Sequence, residues 1–278
     1  MAGPALRGEC EAFAVTVEVP NRGDRELAIE VIFAPGGPTD SATIELRLYA
    51  RRIGAILRGE HKWDTEGSVP GTKARLERGA TGRLRFTRPL PPFVASYRGT
   101  GLEVAAVLVT EGHDKSNVRL LLDPVQVAQD AVMVVRTETE PLRATGVLGP
   151  LRGKVGVAHF RNAGPGAVGV TARGQRAFTG GRVRLEALEY ERYEGKRSDW
   201  EPPIVATEAT LFSTGAGGLR GELALPEATA APASIECGWA SRTQGIRWVA
   251  RFELEDSDGD VIRAQAPLHV GVERPAAT

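Results

Sequence analysis

The feature that most constrains the fold of this chain is an alternation of apolar and polar residues over short segments. It is seen at Phe13–Val19, at Ile44–Leu48 and at Val183–Ala187, where Arg184 and Glu186 separate the apolar residues. A period of two residues with one apolar face is typical of half-buried strands in antiparallel sheets. Helical periodicity is nearly absent. The sequence therefore predicts an all-β protein.

Clusters of turn-forming residues separate these segments. Examples are Asn21–Asp24, Pro35–Pro38 and Asp256–Gly259, and the chain contains 33 glycines and 18 prolines. The last cluster predicts a hairpin that joins a strand at 249–255 to a strand at 261–264. Many short strands with frequent turn signals indicate β-sandwich architecture.

Five short motifs of the first half recur in the same order in the second half, at offsets between 135 and 144 residues. The pairs are Asn21 and Asn162, Leu46–Leu48 and Val183–Leu185, Trp63 and Trp200, Leu90–Pro91 and Leu225–Pro226, and Gly101–Val104 and Gly245–Trp248. The 278 residues suffice for two domains of about 100–150 residues each. The recurrence predicts a tandem duplication, with modules at 8–128 and 131–272. The alternative is two unrelated sandwiches that share a rhythm of strands and turns.

The segment from Gly82 to Leu108 carries a family resemblance. A strand at Leu84–Phe86 leads to Leu90-Pro91-Pro92, then to Ser96-Tyr97, a glycine-containing turn and an apolar strand that begins at Leu102. This order resembles the N-terminal domain of arrestin-fold proteins, and the second copy is similar at Leu225-Pro226. The resemblance implies two tandem immunoglobulin-like or arrestin-like β-sandwich domains, as in arrestins, the arrestin-like retromer subunit and bacterial sporulation-control proteins.

The resemblance does not extend to the family's partner motifs. The chain contains no Pro-Pro-x-Tyr sequence, and no acidic clathrin-type tail follows residue 272. Receptor, ubiquitin-ligase and coat binding are therefore not carried over to this chain. The duplicated fold, without a recognisable catalytic constellation, instead suggests an adaptor or scaffold whose surfaces bind a protein or peptide partner.

Charge and composition argue against several classes of function. The chain has 35 basic and 35 acidic residues, and residues 1–129 carry 17 and 16 of them. That balance predicts neither nucleic-acid binding nor a polybasic membrane anchor. No apolar run approaches the ~20 residues of a membrane span, and no signal peptide is evident. With only Cys10 and Cys237, we expect a cytoplasmic protein without disulfides.

The motifs of common active sites are missing from the sequence. The four histidines form no metal-ligand pair, there is no Gly-x-Ser-x-Gly motif, and the glycine-rich stretches lack the lysine of a phosphate-binding loop. We therefore predict no catalytic residue, no metal ligand and no cofactor. Asp256, Asp258 and Asp260 leave open a weak calcium site, although a hairpin turn explains them better.

The candidate binding residues are Arg51, Arg52, Trp63 and Trp200, chosen as expected surface contacts. A row of arginines at 83, 85 and 88 is either a site for carboxylates or phosphorylated peptides, or a solvated strand face. The main hypothesis is a non-catalytic adaptor with an unidentified protein partner. The alternative is a small-molecule or carbohydrate-binding module with exposed aromatic platforms, or else the rings fill the cores. The aromatic candidates are Trp63, Trp200, Trp239, Trp248, Tyr190 and Tyr193.

Overall fold

A computed structural model describes most of the chain. The described residues are 5–18, 26–37, 39–53, 65–69, 71–79, 82–89, 97–113, 116–122, 132–135, 142–148, 151–164, 166–174, 177–227, 232–239 and 242–273. They form twenty-one strands, with turns and bends between them and no helix. The predicted all-β fold is confirmed.

The chain forms two compact units. Unit 1 contains Met1–Gln129, Arg192–Gly195 and Cys237–Gln244, and unit 2 contains Asp130–Glu191, Lys196–Glu236 and Gly245–Thr278. The main division along the chain thus falls between Gln129 and Asp130. That residues 8–128 and 131–272 form two arrestin-like modules remains a prediction.

Unit 1 contains ten strands. They are β1 (Ala5–Glu9), β2 (Phe13–Glu18), β3 (Glu26–Phe33), β4 (Ser41–Arg52), β5 (Thr65–Ser68), β6 (Ala74–Glu77), β7 (Arg83–Pro89), β8 (Tyr97–Arg98), β9 (Leu102–Gly112) and β10 (Asn117–Leu121). One sheet has the order β1-β2-β3-β7. The other has the order β10-β9-β4-β5, with β6 beside β4 and β8 beside β9.

The core of unit 1 lies where the alternation predicts it. Val15 and Val17 are fully buried, and the rings of Phe13 and Phe33 meet edge to face with centroids 6.2 Å apart. Strand β9 differs because its consecutive residues 104–110 are all buried. Both of its faces are therefore covered, which explains its continuous apolar run.

The other eleven strands belong to unit 2, with three partial exceptions. They are β11 (Val132–Val135), β12 (Leu142–Leu148), β13 (Leu151–Gly164), β14 (Ala167–Gly174), β15 (Phe178–Tyr193), β16 (Lys196–Ser213), β17 (Leu219–Ala224), β18 (Ile235–Trp239), β19 (Arg242–Asp256), β20 (Val261–Leu268) and β21 (Val270–Glu273). The ends of β15, β18 and β19 at 192–193, 237–239 and 242–244 fall in unit 1. Strands β11 and β21 form a separate pair. The others have the order β15-β16-β17-β14-β13-β12-β20-β19-β18, and β15 also pairs with β19. That last pairing closes the sheet on itself.

Large side chains from opposite parts of this closed sheet fill its core. Phe160 of β13 contacts Phe252 of β19 with centroids 6.1 Å apart, and Trp248 is fully buried. At the end of β13, the side-chain amide of Asn162 accepts a hydrogen bond from the Val135 N–H and donates one to the Val135 carbonyl, at 3.0 and 3.1 Å. Asn162 thus joins β11 to β13 in the way that a backbone peptide group would.

The strand pairings of the two units follow one pattern. When β1, β2, β3 and β4 are matched with β12, β13, β14 and β15, and β7 to β10 with β17 to β20, each pairing among these strands in unit 1 has a counterpart in unit 2. Strands β5 and β6 together correspond to β16. Two motif pairs that lie wholly on described residues, at 46–48 with 183–185 and at 101–104 with 245–248, fall on matched strands.

The turn predicted at Asp256–Gly259 joins β19 to β20. These strands are antiparallel, with Glu255 opposite Val261. The buried Asp256 carboxylate accepts hydrogen bonds of 3.0 Å from the backbone N–H groups of Asp258 and Asp260. The hairpin is therefore confirmed. Among the described residues, no helix is long and apolar enough to cross a membrane.

Candidate binding surfaces

Arg51 is not a free contact. It lies on β4 directly opposite Glu103 of β9, and its Nε donates a 2.7 Å hydrogen bond to Oε2 of that residue. The side chains of the pair are only 25% and 15% exposed. Because the guanidinium is already neutralised, any partner that used Arg51 would first have to displace Glu103.

Two of the other three predicted contact residues are described. Arg52 is exposed at the end of β4 in unit 1, Trp200 is half-buried on β16 in unit 2, and each has an interaction partner within the chain. Trp63 lies outside the described residues.

Most of the described aromatic candidates are not exposed platforms. Trp248 is fully buried, and its indole N–H donates a 3.1 Å hydrogen bond to the Pro232 carbonyl. The Tyr190 ring is buried, with its hydroxyl bonded to the Glu236 carboxylate. Tyr193 alone among them is more than half exposed, at 55%. The side chain of Trp239 lies outside the described ones.

The predicted arginine row is compensated as well. Arg83 and Arg85 both reach one carboxylate, that of Glu30 on the neighbouring strand, with Nε to Oε1 distances of 2.6 and 2.7 Å. Hydrogen bonds from Arg85 and Arg83 hold the pKa of Glu30 below its usual value. The side chain of Arg88 lies outside the described ones. The two described arginines of the row thus lie on an exposed strand face and share one carboxylate.

Arg47 is the centre of a second cluster of ion pairs in unit 1. Its nitrogens lie 2.8 Å from Glu45, 3.2 Å from Glu111 and 3.7 Å from Glu66. Burial raises the pKa of the Glu45 carboxyl, but hydrogen bonds from Arg47 and Ser68 outweigh that effect and leave this pKa below its usual value. The cluster is held together by its own charges.

Unit 2 has a similar cluster on the outer surface of its sheet, which we call the paired face. It consists of Arg182, Arg184, Glu186, Glu208, Arg251, Glu253 and Arg263. These residues lie on β15, β16, β19 and β20, and six of them line a shallow depression of about 220 Å³.

Every arginine of the paired face contacts a carboxylate. Arg182 forms a two-nitrogen pair with Glu253, and Arg263 reaches the same carboxylate at 3.2 Å. Glu186, whose side chain is 7% exposed, lies 3.0 Å from Arg184 and 2.7 Å from Arg251. The hydrogen bond from Arg182 lowers the pKa of Glu253 below its usual value.

The strands β13, β14 and β17 present a different outer surface. On β14, Thr171 lies opposite His159 of β13 on one side and opposite Arg220 of β17 on the other. Arg173 is two residues further along β14 and therefore points to the same side of the sheet. Phe212 of β16 lies opposite Arg220. All five side chains are exposed.

With Arg161, which lies opposite Gly169, these residues form what we call the basic face. It consists of His159, Arg161, Thr171, Arg173, Phe212 and Arg220. Within the described part of the chain, its three guanidinium groups make no ion pair or hydrogen bond. Among the described residues of β13, β14 and β17 whose side chains point outward, Glu222 is the one carboxylate. It lies opposite Gly169, on the side away from Arg161.

Two details of local structure shape the basic face. A Cβ atom at Gly218 would lie 3.3 Å from the Arg173 Cγ, so the glycine leaves room for the arginine stem. Phe212 is 68% exposed and is among the most exposed large apolar side chains described. Arginine and aromatic residues are both enriched in protein–protein interfaces, so this combination suits binding.

The basic face has a signal in the sequence that charge balance over each half conceals. The 45 residues 141–185 contain seven arginines and one lysine, but no aspartate or glutamate. They include β12, β13 and β14, which are adjacent in the sheet. The missing carboxylates draw attention to Arg161 and Arg173, although the same window also contains Arg182 and Arg184 of the paired face and does not reach Arg220.

Calcium binding at Asp256, Asp258 and Asp260 gains no support from the geometry. One Asp256 oxygen is already used by two backbone N–H groups of the turn. Among the described residues, no group of three or more histidine, cysteine, aspartate or glutamate side chains is arranged to hold a metal ion.

Comparison with known proteins adds no relative. Neither a protein-family model nor a curated protein sequence matches this chain.

Proposed function

We propose that this chain is a non-catalytic adaptor that binds a protein partner through the outer face of one of its sheets. The observation that supports the proposal most directly is the basic face, where three exposed arginines that make no ion pair within the described part of the chain lie around Thr171 beside the exposed Phe212. A partner can therefore contact these guanidinium groups without displacing a carboxylate of a described residue.

The remaining charged clusters do not compete for this role. Arg51 pairs with Glu103 of a neighbouring strand, and Arg83 and Arg85 share the carboxylate of Glu30. A partner that bound there would have to break existing ion pairs. The arrestin-like resemblance fits an adaptor too, since two β-sandwich modules offer large sheet surfaces for partners.

Affinity purification of the tagged full-length chain from its native cells tests the proposal. We expect one or more proteins to co-purify in amounts comparable to the chain itself. The amount of protein retained must exceed that of a tag-only control at physiological ionic strength, where the Debye length is about 8 Å and longer-range attraction between exposed charges is screened. If nothing is retained above the control after gentle cross-linking, the adaptor function is wrong.

A further inference from the structure

We infer that the basic face is a docking site for an extended acidic peptide segment of a partner protein, with carboxylates two residues apart followed by an apolar residue. The inference rests on the proposed adaptor function and adds the chemistry of the partner. It assigns the contact to Thr171, Arg173, Arg220 and Phe212 of the basic face, none of which the sequence patterns singled out.

The positions of the two central arginines set the spacing of the ligand. Arg220 lies opposite Thr171, and Arg173 is two residues beyond it, so the two arginines are diagonal neighbours on adjacent strands. Diagonal neighbours on one face of a sheet lie about 7–8 Å apart. In an extended peptide, side chains two residues apart point the same way and are separated by about 6.8 Å. Carboxylates with one residue between them therefore match Arg173 and Arg220.

The apolar position follows from Phe212. This ring lies opposite Arg220 on the far side from β14, so a peptide that passes from Arg173 to Arg220 next reaches Phe212. Burying part of a ring that is 68% exposed adds a hydrophobic contribution to the ionic contacts. The expected motif is acidic, any residue, acidic, any residue, apolar.

A peptide fits this surface better than a nucleic acid or a lipid membrane does. Non-specific binding to DNA uses many phosphate contacts, and a polybasic membrane anchor uses four to eight clustered cations. The described basic face has three arginines and one histidine, with Glu222 at its margin. Guanidinium groups hold carboxylates bidentately, and this is the contact that a short acidic segment can supply.

The test measures binding of a fluorescent synthetic peptide with the core Asp-Ser-Asp-Ser-Leu to the full-length chain, by anisotropy at physiological salt. We expect the double variant Arg173→Gln/Arg220→Gln and the single variant Thr171→Glu each to bind at least about tenfold more weakly than the wild type. Circular dichroism and urea unfolding verify that both variants are folded.

Arg184→Gln/Arg263→Gln is the matched control. It removes the same formal charge from the paired face. In this variant Glu186 still forms its ion pair with Arg251, and Glu253 still forms its ion pair with Arg182. We expect its affinity to stay within about twofold of wild type. An equal loss in this control would show that net charge alone attracts the peptide, and the docking site would be wrong.

Peptide variants test the chemistry. An Asp-Asp-Ser-Ser-Leu core, with adjacent carboxylates, is expected to bind several-fold more weakly, and a core with lysines in place of aspartates is expected not to bind. If the Asp-Ser-Asp-Ser-Leu and Asp-Asp-Ser-Ser-Leu cores bind equally well, the proposed spacing of the two carboxylates is wrong. Tighter binding to single-stranded DNA or to phosphatidylserine vesicles, lost in Arg173→Gln/Arg220→Gln, would assign the face to those ligands instead.

The outcomes also separate this inference from the adaptor function. If proteins co-purify equally with the wild type and with Arg173→Gln/Arg220→Gln, the adaptor function stands and the basic face is not its contact. If the peptide binds as expected but no protein co-purifies, the chemistry of the face stands and the adaptor function fails.

Discussion

The two charged faces of unit 2 show how the same residue type plays different roles in one sheet. On the paired face, every arginine contacts a carboxylate from its own or a neighbouring strand, and Glu186 is almost fully buried between two of them. On the basic face, the described arginines make no ion pair. A count of arginines does not distinguish the two faces, whereas the strand register does. The first face stabilises the fold, and the second is left for a ligand.

The largest expected difference concerns two glycines of unit 2. Gly181 is on the same side of β15 as buried Val183, and a Cβ atom there would lie 2.6 Å from the Glu253 carbonyl oxygen, whereas at Gly169, among the basic-face residues, the nearest atom would be the Arg161 carbonyl oxygen at 3.6 Å. We expect Gly181→Ala to lower the free energy of unfolding by about 2–3 kcal/mol, since the neighbouring backbone must move. Gly169→Ala should change it by less than about 0.5 kcal/mol. Urea unfolding followed by the fluorescence of buried Trp248 measures both, and equal losses would contradict the difference in packing.

The buried carboxylate of the paired face gives the next largest effect. Glu186→Gln leaves Arg184 and Arg251 without their anionic partner, so we expect a loss of about 1–2 kcal/mol in the free energy of unfolding. Arg220→Gln, on the basic face, should stay within about 0.5 kcal/mol of wild type. A comparable loss in Arg220→Gln would mean that the basic face contributes to stability as the paired face does.

Acid should weaken the paired face through Glu253. The pKa of this carboxyl is lowered in the folded state from an ordinary 4.5, chiefly by the hydrogen bond from Arg182. Its contribution to stability is therefore complete above pH 4.5 and is lost as the pH falls through the folded-state pKa. We expect Glu253→Gln to be less stable than wild type at pH 7 and to lose less stability below pH 4.5. Unfolding midpoints measured from pH 7 to pH 3 decide this, and parallel curves would refute it.

The smallest effect is expected from adding a carboxylate to the basic face. Thr171→Glu places a negative charge among Arg173, Arg220 and His159, whereas Thr171→Gln has a similar shape without the charge. We expect the glutamate variant to be more stable than the glutamine variant by up to about 0.5 kcal/mol at low salt. The difference should vanish at high salt because exposed charges are screened. No difference at low salt would show that the arginines do not repel one another appreciably.

Several features of the fold were predictable because they depend on local patterns. The alternation at Phe13–Val17 predicts strand β2 and its buried valines, and the cluster at Asp256–Gly259 predicts the hairpin between β19 and β20. Both follow from the two-residue period of a strand and from turn chemistry, which act within a few residues. The duplicated arrestin-like modules remain a prediction, and the common order of pairings in the two units supports it.

The candidate site was harder to predict because exposure and charge compensation depend on distant residues. Arg51 is an expected contact by sequence, but Glu103, 52 positions away, neutralises it. Trp248 is by sequence a candidate either for an exposed platform or for a core, and its fully buried position on β19 shows that it fills the core. The basic face could have been suspected from the absence of carboxylates at 141–185, although only the register places Arg220 beside Thr171.

The sequence by itself determined that this chain consists of strands, where several of them turn, and which of their side chains face a core, since these depend on neighbours along the chain. The tertiary structure decided which strands are adjacent and hence which arginines meet a carboxylate, because an ion pair requires two groups within about 4 Å whatever their separation in sequence. That choice separates a face that holds the sheet together from a face that is free to bind.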